Sequence, residues 1–269
     1  MLQVNLAGIA LITAWGAYQW DYFSRAPHAE SEGWFGNSTD DGGADKLGHL
    51  YSTYLASHGL AYLYEQWRFP RQEAALYGSL SSWLIAGYME FGDSFSEYGF
   101  SAEDLLFNTL GSALGYLLYL DTSLAEKIDL RWEYGLSPGG GGLFTDYENT
   151  KVLLAVKLNG FEMTRRGWLK HVEVQLGYYT RGFDEHETDR ERNLYVGIGV
   201  SLTDLFRRRG WPKTATVLSY LQLPYTYVPF EHDFTAESGL AAVQKHSCQQ
   251  GNWLPSFTES HVACEAESG

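Results

Sequence analysis

The chain has 269 residues, of which 45% are hydrophobic, and it carries a formal net charge of −14 at pH 7. That length and apolar content are sufficient to bury a core, which excludes a chain disordered throughout. The acidic balance argues against nucleic acid as a partner, because phosphate binding needs a basic face. Aromatic residues make up 16% of the chain, which favours the cell envelope, since Tyr and Trp prefer apolar–aqueous boundaries.

The first half of the chain predicts four apolar helices. The first covers an apolar run that begins at Leu6, and this run is shorter than the roughly 20 apolar residues that a membrane-spanning helix needs. We therefore expect this helix to be buried or to lie at an interface. The other three show apolar residues at helical spacing. The four helices are predicted over residues 4–24, 44–67, 70–90 and 101–120.

Local signals indicate where these helices begin and how they pack. Pro70 suits the first turn of a helix, where its missing N–H costs nothing. Ser101, followed three residues later by Asp104, resembles a capping box with Asp in place of the usual Glu. Gly111 and Gly115 leave a smooth helix face, which predicts close approach of another helix backbone.

From residue 127 the hydrophobic pattern changes to a period of two, which is typical of strands. Such runs cover residues 130–136, 152–158, 172–178 and 194–202 and predict four half-buried strands. In the last run, Tyr195, Gly197 and Gly199 alternate with the apolar positions, as on the interior face of an outer-membrane barrel strand. A complete barrel needs at least eight strands, so we predict instead a mostly antiparallel sheet that packs on the helical region.

The last part of the chain predicts irregular structure. A short helix is expected through Val217, Leu218 and Leu221, and the two prolines of residues 223–230 predict an edge or wrapping segment. Residues 231–269 are polar and predict a loose tail, in which Cys248 and Cys264 either form a disulfide or remain free thiols. The predicted organisation is α+β: a helical region at 1–125, a β region at 126–230 and a tail at 231–269.

Polar residues recur within the apolar helices at regular spacing. Charged groups on apolar helices are costly unless they have partners, so three such groups within about seventy residues predict a shared polar centre. The groups are Asp45, Lys46 and His49; then Glu90 and Asp93; then Ser101, Asp104 and Asn108.

Each group also has a structural interpretation. Asp45 suits the first turn of its helix and can pair with Lys46. Ser101 and Asp104 suit a helix cap. Glu90 is predicted at the end of a helix, where a carboxylate opposes the helix dipole. Either Lys46, His49 or a bound cation compensates it, or Glu90 and Asp93 simply face water at the helix end.

Two chemistries fit this set of residues. Carboxylates and one His suit a divalent cation, although no HExxH motif is present. Alternatively, His49, Glu90, Asp93 and Asp104 act as catalytic acid and base groups, with Asp45, Lys46, Ser101 and Asn108 binding the substrate. No nucleophile elbow, P-loop or dinucleotide fingerprint occurs in the sequence.

At these residues the chain resembles the YfiM-like family of bacterial envelope proteins of unknown function. The motifs that carry the resemblance are Asp45-Lys46-Leu47-Gly48-His49, the Glu90 to Asp93 turn, and Ser101-x-x-Asp104-x-x-x-Asn108-x-x-Gly111. The same order of motifs is distantly similar to VanZ-like membrane proteins. The resemblance implies a location in the periplasm or outer membrane of a Gram-negative bacterium, and it implies no particular activity.

These observations leave three hypotheses for the function. The first is an envelope protein whose polar helix cluster organises the fold or a small site. The second is a membrane-associated hydrolase or transferase that acts on a lipid or cell-wall substrate. The third is a component of an outer-membrane β-barrel. The expected partners are membrane lipid or other envelope proteins.

Overall fold

The computed structural model describes residues 1–135, 146–183 and 190–235. The predicted α+β class is confirmed in this part of the chain, where helices precede a sheet. Most of the expected tail lies outside the described residues, and so do Cys248 and Cys264.

Four long helices form the N-terminal region, close to the predicted bounds. They are α1 (Leu2–Gln19), α2 (Ala44–Gln66), α3 (Arg71–Asp93) and α4 (Ala102–Leu120). The first ends earlier than predicted because Asp21 and Phe23 adopt positive φ angles that a right-handed helix excludes. The third continues one turn past Glu90. Among the described residues, no helix combines the length and the apolar character needed to cross a membrane.

Small and polar residues mediate the packing of these helices. A Cβ atom at Gly111 would collide with the carbonyl oxygen of Leu50, so α4 approaches α2 closely, as the two glycines predicted. Helix α3 also contacts α2 closely, since Ser82 donates a hydrogen bond of 2.8 Å to the carbonyl oxygen of Thr53. Helix α1 packs along α3, where Thr13 and Tyr88 are joined by a hydrogen bond of 2.8 Å. Many large apolar side chains of these helices therefore remain on their outer surfaces.

The sheet contains six strands in the described part of the chain, in the order β5-β1-β2-β3-β4-β6. All neighbours are antiparallel except β1 and β5, so the sheet is mostly antiparallel as predicted. The segment that contains Pro229 forms an edge strand, as its prolines indicated. The strands are β1 (Ile128–Tyr134), β2 (Thr150–Lys157), β3 (Val172–Arg181), β4 (Glu191–Val200), β5 (Leu221–Gln222) and β6 (Tyr227–Asp233).

The described part of the chain also contains three short α-helices and three 3-10 helices (Tyr147–Asn149, Leu158–Gly160 and Trp168–His171), and two of the α-helices change the predicted boundaries. The short α-helices are α5 (Thr122–Ala125), α6 (Leu202–Arg208) and α7 (Pro212–Leu218). The run predicted as one strand to residue 202 ends at Val200, because Leu202 begins α6, where Asp204 accepts a 2.7 Å hydrogen bond from Arg208 four residues on. Leu221, predicted as helical, pairs instead with β1.

The helices cover only part of one face of the sheet. Leu130, Trp132 and Val152 form a core with Tyr51 and Tyr54 of α2. Further along the same face, the apolar side chains of β3, β4 and β6 are exposed. The sheet is therefore anchored to the helices through β1 and β2.

The opposite face is concave and combines buried charges with a small hydrophobic cluster of Leu153, Ala155, Tyr179 and Tyr195. Tyr227 of β6 donates a 3.2 Å hydrogen bond to Glu133 of β1, although a flat sheet would separate these strands by about 19 Å. The sheet must therefore curl strongly. Its inner face holds Arg131, which donates hydrogen bonds of 2.7 Å to Asp129 and 2.6 Å to Glu173. Buried charges and outward apolar residues thus give this sheet an inverted polarity.

Candidate functional site

A cavity of about 370 Å³ lies where one end of the helical region meets the loop that precedes α2. Its wall combines carboxylic acids with apolar and aromatic side chains. Seven acidic residues line it: Glu32, Asp40, Asp41, Asp45, Glu90, Asp93 and Asp104. The other lining residues are Trp20, Thr39, Gly48, His49, Ser52, Met89, Tyr98, Gly99, Trp132 and Tyr147.

Lys46 lies beneath this acidic wall and is 1% exposed. Its Nζ atom contacts carboxylate oxygens of Glu32 at 2.5 Å, Asp45 at 2.5 Å and Asp104 at 2.9 Å. Burial alone would lower the pKa of Lys46, but these three carboxylates outweigh it and raise the pKa above its usual range. Lys46 is therefore a permanent cation that joins the loop, α2 and α4.

His49 lies one turn further along α2 and faces both α3 and α4. Its Nδ1 atom is 3.2 Å from Oδ1 of Asn108 and 3.5 Å from Oε1 of Glu90, and its Nε2 atom is 3.7 Å from Oδ2 of Asp104. Asn108 is fully buried and donates a 2.9 Å hydrogen bond from Nδ2 to Glu90. Because Asn108 donates through its amide nitrogen, its oxygen can accept a hydrogen bond from His49 Nδ1, and the tautomer with the proton on Nδ1 has Nε2 as its acceptor or metal-ligating atom.

Helix geometry explains this convergence. Ser101 caps α4 by accepting a 3.2 Å hydrogen bond from the backbone N–H of Asp104, as predicted, and so orients the first turn. Asp104 and Asn108 are four residues apart and share one face of α4. Glu90 is in the last turn of α3, which runs in the opposite direction and brings it opposite Asn108.

Burial shifts the protonation of the acids. It raises the pKa of Glu90 to about 9, with smaller contributions from the charges of Asp104 and Asp93. Burial also raises the pKa of Asp93 to about 7, and it does the same for Asp41, where the charge of Asp45 adds to the effect. Part of the acidic wall thus holds protons near neutral pH when no additional cation is present.

Two groups of residues have the geometry to hold a metal ion. Ligand atoms of His49, Glu90 and Asp104 all lie within 4.8 Å of one another, and so do those of Glu32, Asp45 and Asp104. The second group is already bridged by the amine of Lys46, whereas the first group faces the cavity with an available imidazole nitrogen. Within the described residues, the first group is the better candidate for a divalent cation.

The structure brings together the residues that the sequence singled out. Asp45, His49, Glu90, Asp93 and Asp104 line the cavity, Lys46 and Asn108 bond to them from behind, and Ser101 caps the helix that carries two of them. Their catalytic or binding roles remain predictions.

Sequence reasoning missed Glu32 and gave no role to Asp41. Both belong to the loop that precedes α2, where no periodic pattern predicts a contact. Backbone hydrogen bonds between Glu30 and Phe100 and between His28 and Phe100 attach this loop to the start of α4 and bring Glu32 to Lys46. The only local signal was the density of acidic residues in the loop.

Residues 31–120 match the model of a family described as a predicted periplasmic lipoprotein (DUF2279). The matched segment contains every residue of the predicted polar cluster, together with Glu32. The match supports an envelope protein of unknown function and a periplasmic location. No curated protein and no solved structure matches the chain.

Proposed function

We propose that this protein is a cell-envelope protein whose helical region binds a divalent cation in the acidic cavity, with His49, Glu90 and Asp104 as ligands. The observation that carries the proposal is the convergence of their ligand atoms within 4.8 Å. An imidazole with two carboxylates is a donor set that suits several divalent transition metals. Asn108 supports it by orienting His49 from behind, as partners of metal-ligating histidines commonly do.

The charge balance of the cavity also favours a cation. In the described part of the chain, Lys46 and His49 are the basic side chains within 4 Å of the acidic wall. Buried like charges are unfavourable unless they are neutralised by protons or by a counterion. A divalent ion would neutralise two carboxylates at once and displace the protons that they hold.

Titration calorimetry of the full chain with Zn²⁺, Mn²⁺, Ca²⁺ and Mg²⁺ tests this proposal. We expect binding of at least one ion by the unmodified protein, and at least a tenfold weaker affinity for His49→Ala and for Asp104→Asn. The matched control is His232→Ala, since His232 is exposed on β6. Unchanged affinity in both variants would refute the assignment, and unfolding of both would support a purely structural cluster.

A second candidate function is a hydrolase or transferase for an amphiphilic lipid or cell-wall substrate. The specific observation that favours it is the mixed wall of the cavity, where Trp20, Met89 and Trp132 lie beside the polar groups. In this mechanism His49 removes a proton from the attacking group. The carboxyl groups of Glu90, Asp93 and Asp104 position the attacking group and protonate the leaving group.

Lipid extracts and peptidoglycan fragments incubated with the purified protein would test the second candidate by mass spectrometry. A product formed by the unmodified protein and by His232→Ala, but not by a folded His49→Ala variant, is the expected result. If no substrate is consumed, or if His49→Ala retains activity, this mechanism fails while the cation proposal stands.

We also propose a location at the outer membrane of a Gram-negative bacterium, which is more specific than the periplasm. The relationship to YfiM-like proteins is likewise part of the proposal. Fractionation of a bacterial host that produces the natural protein tests the location. Recovery with outer-membrane markers is the expected result, and recovery with cytoplasmic markers would contradict it.

A further inference from the structure

The outer sheet face is the set of apolar side chains that β3, β4 and β6 direct away from the concave side. Ile198 is 50% exposed, and Val228 and Phe230 are each 63% exposed. The set contains Val174, Leu176, Leu194, Val196, Ile198, Val200, Val228 and Phe230. All eight are at least 36% exposed and lie on neighbouring strands, so they form a contiguous apolar patch of the kind that marks an interaction surface.

Helices α1 and α3 show the same inversion on other sides of the molecule. Helix α1 exposes Leu6, Leu11 and Trp15, whereas its buried residues are Asn5 and Gly16. Helix α3 buries alanines, serines and glycines together with Glu90, and it exposes leucines, a tryptophan and a phenylalanine. The helices thus carry further apolar surface, and the choice of lipid over a protein partner rests on the aromatic and basic residues beside the outer sheet face.

The outer sheet face ends in an aromatic rim, defined as Trp168, Trp211 and Tyr225. These side chains are 74%, 60% and 87% exposed. Trp168 precedes β3, Tyr225 precedes β6 and Trp211 follows β4 after α6, so all three belong to segments that leave the same end of the strands. Exposed Trp and Tyr at the limit of an apolar band are typical of the boundary between acyl chains and headgroups.

The residues that follow β4 add positive charge beside this rim. The exposed Arg207, Arg208 and Arg209 separate the last strand position, Val200, from Trp211. The guanidinium groups of Arg207 and Arg209 can pair with the phosphates of anionic lipids, while Arg208 already donates to Asp204 through its Nε atom. The aromatic rim and the basic cluster thus belong to segments at the same end of the apolar strands, as expected where a protein surface meets lipid headgroups.

From these observations we propose that the protein docks on a lipid membrane, with the outer sheet face against acyl chains and the aromatic rim and three arginines among the headgroups. This inference is independent of the cation site, since it uses none of the residues that line the cavity.

Flotation of the purified full chain with vesicles, without detergent, tests the proposal. We expect the unmodified protein to float with phosphatidylcholine vesicles, and more strongly with equimolar phosphatidylcholine and phosphatidylglycerol at low salt. The variant Ile198→Glu/Val228→Glu places two charges on paired, exposed positions. Its partition coefficient should fall at least about tenfold, since charged groups on a lipid-facing strand are strongly unfavourable.

The matched control is Gln66→Glu/Thr122→Glu, which adds the same charge at exposed polar helix ends and should float like the unmodified protein. Failure of the unmodified protein to float with either vesicle would overturn the proposal, and so would equal flotation of a folded Ile198→Glu/Val228→Glu variant. A stable dimer that ignores vesicles would instead identify the face as a protein interface.

Quenching of tryptophan fluorescence by brominated phosphatidylcholine keeps the test decisive if the double Glu variant does not fold. We expect quenching in the unmodified protein and a clear loss of quenching in Trp168→Phe/Trp211→Phe. The comparison variant is Trp83→Phe, because Trp83 lies on the exposed side of α3, away from the aromatic rim. A change of quenching in this variant would report lipid contact at α3. Absence of quenching in the unmodified protein would overturn the proposal.

Discussion

Replacing Lys46 with Met should destabilise the helical region, because this side chain is the buried cation that holds three carboxylates together. Its amine lies 2.5–2.9 Å from Glu32, Asp45 and Asp104, while Met has a similar length and no charge. The substitution leaves the cavity acids to repel one another and removes the link between the loop and α4.

The size of the effect follows from the exposure of the three carboxylates. Removal of one partner from a buried ion pair typically costs about 3–5 kcal/mol. The side chains of Glu32 and Asp45 are 31% and 15% exposed, so water still solvates these carboxylates in part when the amine is removed. The side chain of Asp104 is 4% exposed, so its carboxylate would remain buried without a cationic partner. We expect a loss of about 3 kcal/mol, or a melting temperature lower by about 6–12 °C.

Thermal unfolding followed by circular dichroism measures this loss, with Lys127→Met as the control. The ammonium group of Lys127 makes two weak contacts, one of 3.4 Å with Ser123 and one of 5.8 Å with the centre of the Phe161 ring, so its loss should cost no more than about 0.5 kcal/mol. Without Lys46 the folded acids bind protons more strongly than the unfolded ones, so the stability of Lys46→Met should rise as the pH falls from 7 to 5. A loss of less than about 1 kcal/mol in the free energy of unfolding would refute the reasoning. So would a stability difference between Lys46→Met and the unmodified protein that is no smaller at pH 5 than at pH 7.

Three further predictions use other buried groups. Arg131→Met should lower the free energy of unfolding by about 3–5 kcal/mol in chemical denaturation, because it leaves the buried carboxylate of Glu173 without a cation, while Asp129 keeps Lys157. A loss below about 1 kcal/mol would contradict this. Burial lowers the pKa of His58 to about 4, so the unfolded chain binds this proton more readily than the folded protein. The free energy of unfolding should therefore decrease by up to about 3 kcal/mol as the pH falls from 6.5 to 4. The variant His58→Phe should lack this decrease over the same pH range. Gly111→Ala should destabilise by about 2 kcal/mol because its Cβ would meet the backbone of Leu50, whereas Gly59→Ala, with open space around it, should be neutral or stabilising by up to about 1 kcal/mol in the same thermal assay.

Helix and strand positions followed from local chemistry. The cap at Ser101, the start of α2 at Ala44 and the edge position of the Pro229 strand all appear as predicted, because each depends on a few neighbouring residues. The boundary at Leu202 was wrong because an apolar residue at the right period fits a strand and the first turn of a helix equally well.

The polar cluster could be predicted as a set of residues but not as a geometry. Regular spacing placed His49, Glu90 and Asn108 on helices, and the cost of isolated buried charges predicted that they would meet. Glu32 could not be found in this way, since it reaches Lys46 through a loop that is held by backbone hydrogen bonds to the start of α4.

The sequence by itself determined that the strands have one apolar and one polar face, since alternation with a period of two requires nothing beyond local order. Only the tertiary structure decided which face points inward. The curl that brings Tyr227 to Glu133 encloses the polar face, and the helices cover the apolar face only at β1 and β2, so Leu194, Val196 and Ile198 point outward. The physical reason is that alternation defines two faces but not the direction of curvature, which depends on contacts between strands far apart in the chain.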